Sequence, residues 1–370
     1  MNRWAYVERA WATIPSAAVY LVVAAVVSGV FPGTRLSVVN VERIGTAALV
    51  VILFDGGASI GLRRFREAAW TIAALGVLGT FATAGLLALF AHWALGLAWI
   101  TSGLLAAAIA PTDPAVVFSL LGERGVGGRV STILEGESGA NDPVGIALML
   151  GLLELATHAD KSFWVVIRIF AEQMAIGLAA GVLGGLVGRR LLHHVRLRTV
   201  GLLALAACVY AVAAVADGSG FLAVFVAGVL VGDLSAPPHA ERAATLAEIV
   251  VFVALGLTID LGGLTGAHAA EGLAMAAIAA LVARPLALVP LLAPTTLRAR
   301  EQLFVVWAGL KGAVPILLAA FTLGKHVTDA RRIYDIVFVV VLLSVLLQGG
   351  TIAYVARRLG IEERAATPRA

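Results

Sequence analysis

Long apolar runs alternate with short polar connections along the whole chain. Twelve apolar segments can be marked, at about 12–31, 43–61, 68–91, 96–121, 137–157, 163–188, 199–216, 219–234, 246–262, 270–293, 302–322 and 333–355. Most approach the length of about 20 residues that carries a helix through the hydrocarbon of a bilayer. Backbone groups in lipid must be satisfied within the protein, so segments of this kind are helices. The pattern predicts an all-α polytopic membrane protein of about twelve transmembrane helices, with the lipid bilayer as its solvent.

Charge supports that count. With loops assigned alternately, the side bearing the termini carries 18 Lys and Arg and the other side 7, while Arg284 and Lys311 fall inside segments. Positive residues in short loops stay cytoplasmic, which predicts an inner-membrane protein with both termini in the cytoplasm. Composition agrees: of 370 residues 60% are hydrophobic and 14% charged, unlike an ordinary soluble domain. A net charge of +4 then reflects topology, and no nucleic-acid partner is expected. One cysteine, Cys208, in an apolar run excludes a disulfide framework and a thiolate metal site. Residues 1–360 read as a single transmembrane domain and 361–370 as a short cytoplasmic tail, with no C-terminal regulatory domain. Segment six carries Gly177, Gly181 and Gly185, and also Gly184 and Gly188, at four-residue spacing. Such a smooth face suits a dimer interface or a seam within the chain, and a homodimer is the expectation.

The polar residues inside the segments carry the chemistry. Glu135-Gly136-Glu137-Ser138-Gly139-Ala140-Asn141-Asp142-Pro143 opens a run apolar enough to lie in lipid. A carboxylate at that depth costs about 2.5–3.5 kcal/mol on insertion scales, so it marks a functional site by default. On a helix Glu137 and Asn141, and Ser138 and Asp142, share a polar arc of about 140° that can hold a small cation or a proton. The plainer reading makes Ser138 the N-cap of a helix with acids near its positive end.

Two segments are interrupted. The fourth contains Ala110-Pro111-Thr112-Asp113-Pro114-Ala115 and the eleventh Gly309-Leu310-Lys311-Gly312-Ala313-Val314-Pro315. Each proline removes an N–H and frees a carbonyl one turn back, tolerable at depth only where the backbone lines a cavity or is buried in protein. Segments four and eleven cross the membrane in opposite directions, and two interrupted helices in inverted positions point to a secondary transporter with an inverted repeat. Asp113 can offset the positive half-helix ends at the crossing and Lys311 the negative ones. Glu137 and Arg284 can form a buried ion pair. Asp55, in Leu53-Phe54-Asp55-Gly56-Gly57, faces the same cavity or lies near a membrane surface. Asp142 is the acid without an evident cationic partner, so protons and cations compete for it.

These residues resemble the monovalent cation/proton antiporters of the sodium/proton exchanger superfamily. The resemblance runs in order through Phe54–Gly57, Pro111–Pro114 with Val117–Leu121, Glu135–Pro143, Gly218–Val224, Ala283–Leu286 and Trp307–Pro315. The Asn141–Asp142 pair is similar to the electroneutral branch, and Leu120-Leu121-Gly122 with Pro143 to bacterial potassium/proton antiporters. The resemblance implies that Asp142 carries cation or proton where segments four and eleven cross. Thr112, Asp113, Ser138 and Asn141 would line or support the site, with Asp142, Thr112 and Ser138 holding the monovalent cation. Glu137 and Arg284 would pair, and Asp55 would face the ion path. Lys311 stands where relatives commonly carry arginine, and Met1–Trp11 where they carry an extra span. The function expected is exchange of K+ or Na+ for H+, one for one, by alternating access. No covalent chemistry and no cofactor are called for, only the transported ions. A cation channel would need a filter-like repeat, and none is visible. An intramembrane aspartyl protease would pair Asp113 with Asp142, against which Lys311, Arg284 and the inverted breaks argue.

Overall fold

Runs rich in Ala, Leu, Val and Ile, punctuated by single glycines and prolines, fold into helices and leave little between them. The computed structural model describes residues 16–114, 117–118, 121, 128–158, 161–192, 198–234 and 238–361. Met1–Trp11, Ser119, Leu120 and Gly122 of the motif that follows the fourth-segment break, and the tail from 362 lie outside these residues. Among the described residues the chain is all-helical and forms no strand.

The helices are α1 (Ser16–Val30), α2 (Val38–Leu95), α3 (Trp99–Ile109), α4 (Gly128–Thr157), α5 (Trp164–Leu192) and α6 (Arg198–Val215). They continue with α7 (Gly220–Val231), α8 (Pro238–Gly256), α9 (Gly266–Leu292), α10 (Ala299–Trp307), α11 (Ala313–Gly324) and α12 (Ala330–Leu359). Among them α2, α4, α5, α9 and α12 are long and apolar enough to cross a membrane.

Two boundaries differ from the sequence pattern. The second and third apolar segments form two helices, the limbs of α2, that meet directly at Gly61 because the intervening Leu62-Arg63-Arg64-Phe65-Arg66-Glu67 is itself helical. The chain is kinked at Gly61, whose φ of 68° and ψ of 162° leave the helical region. Helix α4 begins at Gly128, well before the apolar run, so Ser138 is a mid-helix residue and not an N-cap. The Glu135–Pro143 stretch therefore lies inside a helix rather than opening one.

Packing sorts the helices into two bodies. In the first, Gly57 and Gly228 let the limb of α2 before Gly61 and α7 touch backbone to backbone, and Gly256 seats α8 on α1 at Leu21. The glycines of α5 also belong here. Gly177, Gly181 and Gly185 face Ser219, Ala223 and Leu230 along α7, while Gly184 and Gly188 face Val209 and Leu205 of α6. That stripe is a seam within the chain, the second of the two alternatives its spacing allows.

The second body contains the limb of α2 after Gly61, α3, α4 and α9 to α12. Helices α2, α9 and α12 each contain a π-helical stretch, at Ala74–Gly79, Ala279–Ala283 and Ser344–Gly349. At the ends of the helices opposite the arginine-rich loops, polar bonds join the bodies. The Arg331 guanidinium donates to Asp260 O at 3.1 Å and Tyr334 meets the Thr258 hydroxyl, tying α12 to the chain that leaves α8. Ion pairs cluster there, Arg35–Asp260 at 2.8 Å, Arg331–Asp335 at 2.9 Å and Arg332–Glu271 at 2.6 Å, and His268 shares a hydrogen bond with Asp335 at 2.9 Å.

Candidate ion-binding site

The site is built where two helices stop short. Helix α3 ends at Ile109, the chain runs non-helically through Pro111 to Asp113, and the Asp113 N–H donates to Leu310 O at 2.8 Å. Leu310 belongs to the second interruption, between α10 and α11, so the two breaks cross. Each break leaves carbonyls at the C-terminal end of a half-helix, where the helix dipole is negative. Lys311 Nζ donates to Ala110 O at 3.0 Å and Pro111 O at 3.1 Å, closing the end of α3. Arg284 closes the end of α10: Nε donates to Val306 O at 2.9 Å and a terminal nitrogen to Val305 O at 3.1 Å.

Arg284 also makes a two-pronged pair with Glu137, at 2.8 and 3.1 Å, with both residues no more than 3% exposed. Charge-assisted bonds in this fork geometry suit a site from which water is excluded. Asp113 covers the positive start of α11; a Cβ added to Gly312 would stand 2.0 Å from its Oδ2. A Cβ on Gly309 would stand 1.9 Å from Arg284 Nε, so both crossings require glycine.

The polar arc of α4 divides between two tasks. Glu137 and Asn141 face protein: Glu137 takes Arg284, and the Asn141 amide donates to the Thr112 hydroxyl at 2.8 Å. Ser138 and Asp142 face a cavity of about 560 Å³ that lies between the two bodies. Asp55, Asp113, Glu135 and Glu248 line the same cavity, and no lysine or arginine is among its described lining residues. It reaches the surface at Ser16, Ser59 and Thr245, at the end of the molecule that carries the arginine-rich loops. Asp55 thus faces the cavity rather than a membrane surface. Thr112 does not line it; its hydroxyl is engaged by Asn141 beneath the wall.

Asp142 is 5% exposed, and its Oδ1 has no hydrogen-bond partner among the described residues. An ionised carboxylate so placed is costly unless a cation or a proton joins it. Hard oxygen donors without sulfur or nitrogen suit a proton or an alkali cation.

The sequence assigns no role to four polar residues here. Glu135 and Glu248 stand near the starts of apolar segments, where an acid is ordinarily a solvated end residue. Ser344 and Gln348 sit four apart in an otherwise apolar helix, a spacing that could have been read. The Ser344 hydroxyl accepts from the Lys311 N–H at 2.9 Å and donates to Gln348 Oε1 at 2.6 Å, backing the eleventh-segment break from α12.

Known proteins match in sequence and in fold. Residues 4–358 match the family described as sodium/hydrogen exchanger, transmembrane. The K(+)/H(+) antiporter NhaP of Alkalimonas amylolytica is 39% identical over 332 residues, 86% of this chain and 58% of that protein. The low-affinity Na(+)/H(+) antiporter NhaS1 of Synechocystis is 27% identical over 359 residues, covering 90% of this chain and 67% of the relative. This chain therefore spans 58% of the length of the first of these relatives. The structure of the sodium proton antiporter MjNhaP1 from Methanocaldococcus jannaschii superposes with a TM-score of 0.78 at 21% identity, covering 93% of this chain and 92% of that one.

Proposed function

The chain belongs to the sodium/hydrogen exchanger family, and we propose that it exchanges a monovalent cation, K+ or Na+, for a proton by alternating access around Asp142. The observation that carries this reading is Asp142 Oδ1, buried at the cavity end without a hydrogen-bond partner among the described residues. One carboxylate holds one proton or one monovalent cation, so arrival of either releases the other. Asn141 and Thr112 brace Asp142 from behind, Ser138 adds a hydroxyl on its cavity side, and Asp55 and Asp113 attract cations toward it. The cavity is the inward-facing path, and the bonds of Arg331 to Asp260 O and of Tyr334 to Thr258, which join the bodies at the other end, keep the outer path shut.

The same reading takes the chain as twelve passes arranged as an inverted repeat, with the segment-four and segment-eleven breaks as equivalent positions. The arginine-rich loops and both termini lie in the cytoplasm of an inner-membrane protein that functions as a homodimer. The names of the relatives support potassium and sodium as the cations to try first.

The test is proton movement in everted vesicles on adding K+, then Na+, then Li+. The expected result is one-for-one exchange that does not respond to an imposed potential. The apparent KM for the cation should rise as pH falls while the maximal rate holds, because protons and cations compete for one group. Acceleration by voltage, or a maximal rate that falls at low pH with KM constant, would rule out a single shared site.

A further inference from the structure

Glu248 is a carboxylate for which the scheme above has no use. It is the eleventh residue of α8, on the cavity wall one turn beyond Thr245, where the cavity reaches the surface. The residues that follow, Ile249-Val250-Val251-Phe252-Val253-Ala254-Leu255-Gly256, are wholly apolar. Among the described residues Glu248 has no hydrogen bond and no ion pair. It lines the cavity that Asp142 lines, close enough to Asp113 for the two charges to repel. A half-buried acid on an apolar helix without a counter-ion is costly unless something positive visits it. Asp142 Oδ1, buried and unbonded at the same cavity, points to the same kind of visitor.

We propose that Glu248 is a specificity-determining residue for the transported cation, receiving it at the cavity wall and setting its affinity on that face alone. This rests on Asp142 exchange as described above. The one-sided action follows from the two bodies. Glu248 belongs to α8, packed on α1, whereas Asp142 belongs to α4 in the other body. The two carboxylates share a cavity in the arrangement open toward the arginine-rich loops. When the bodies rearrange to open the opposite face, Asp142 meets the cation without Glu248. Asp55, Asp113 and Glu135 complete the charged lining; Asp55 shares the body of Glu248, and Asp113 and Glu135 move with Asp142.

The experiment is cation-driven proton flux in vesicles of both orientations, with cation added to one face at a time. Wild type comes first: if K+, Na+ and Li+ all fail to move protons, the exchange reading falls and the role of Glu248 falls with it. Given exchange, Glu248→Gln should raise the cation KM by about tenfold from the cavity face, the effect of losing one charged contact. KM from the opposite face and the maximal rate should hold within about twofold. Glu248→Asp should restore most of the affinity. A detergent melting curve accompanies each variant; if the Gln variant is unfolded, Glu248→Asp must show a smaller shift confined to the cavity face. An equal rise in KM at both faces, an unchanged KM, or a fall in maximal rate alone would overturn the proposal.

Discussion

The helix crossing and the cavity beside it treat charge in opposite ways. At the crossing Glu137 has Arg284, and Lys311 and Arg284 have the carbonyls of α3 and α10. In the cavity wall Asp142 Oδ1 has no hydrogen-bond partner, and Glu248 has neither a hydrogen bond nor an ion pair among the described residues. Glu137 and Asp142 are five residues apart on one helix, so helix and depth do not explain the difference. Neighbours do. A charge whose partners are supplied by the protein can hold a structure together. One whose partner must come from outside can change its state, and that change is what transport requires.

The sharpest way to break this contrast is at Asp142. Asp142→Asn should reduce cation-driven proton flux to background while the detergent melting temperature stays the same or rises. The reason is that a neutral amide replaces an acid whose Oδ1 lacks a partner. Near-native coupled flux in this variant would show that the carrier is another group.

Next comes the crossing itself. Glu137→Ala and Arg284→Ala should each destabilise the protein by about 3–5 kcal/mol, because each strands a buried charge. The double variant should lose less than the sum of the two, since it strands neither. Additive losses in denaturation midpoints would mean that the pair contributes nothing as a pair.

The smallest effect is expected at the far end, where the pairs are part-exposed. Asp260→Asn should cost about 0–1 kcal/mol, and less in high salt. Burial pushes the Asp260 carboxyl up, but the Arg35 hydrogen bond and the charges of Arg35 and Arg331 outweigh it and hold it below the usual carboxylate range. A depressed value means the stabilisation is complete above the unfolded-state pKa and is lost as pH falls through the folded one. The difference between wild type and Asp260→Asn should therefore be full at neutral pH, begin to shrink near pH 4 and vanish only in stronger acid, below the depressed value. A difference that does not shrink as pH falls below about 4 would sink the ion-pair account.

Much of this architecture is legible in the chain because lipid makes polar residues expensive. Asp142, Glu137, Arg284 and Lys311 stand out against apolar surroundings, and the prolines at 111 and 114 mark one break without any coordinates. Hydropathy is less informative at the margins. It reads Glu135–Pro143 as the opening of a helix because Val130, Ile133 and Leu134 are too few among polar neighbours to extend the apolar run, whereas α4 has already run from Gly128. Glu248 likewise looks like a solvated end residue, although α8 turns it to the cavity wall. The glycines of α5 announce close packing but not against what, since spacing on one helix holds no information about its neighbour. The division of the α4 arc, with Glu137 and Asn141 inward and Ser138 and Asp142 toward the cavity, needs the position of the second body.

The three π-helical stretches bear on which mutations the protein can absorb. Each holds one more residue per turn than an α-helix, so a deletion there offers the chain a way to relax to regular geometry. Relaxation would leave everything beyond it within about 20° of its present phase, whereas a deletion in the α-helical turns rotates it by about 100°. In α9 the stretch ends at Ala283, immediately before Arg284, so one residue can be lost there with the guanidinium still facing Glu137, while a loss from the α-helical turns beside it would swing it away. In α12 it holds both Ser344 and Gln348. Substitution scans, which preserve length, would pass over this dependence, and only single-residue deletions would expose it.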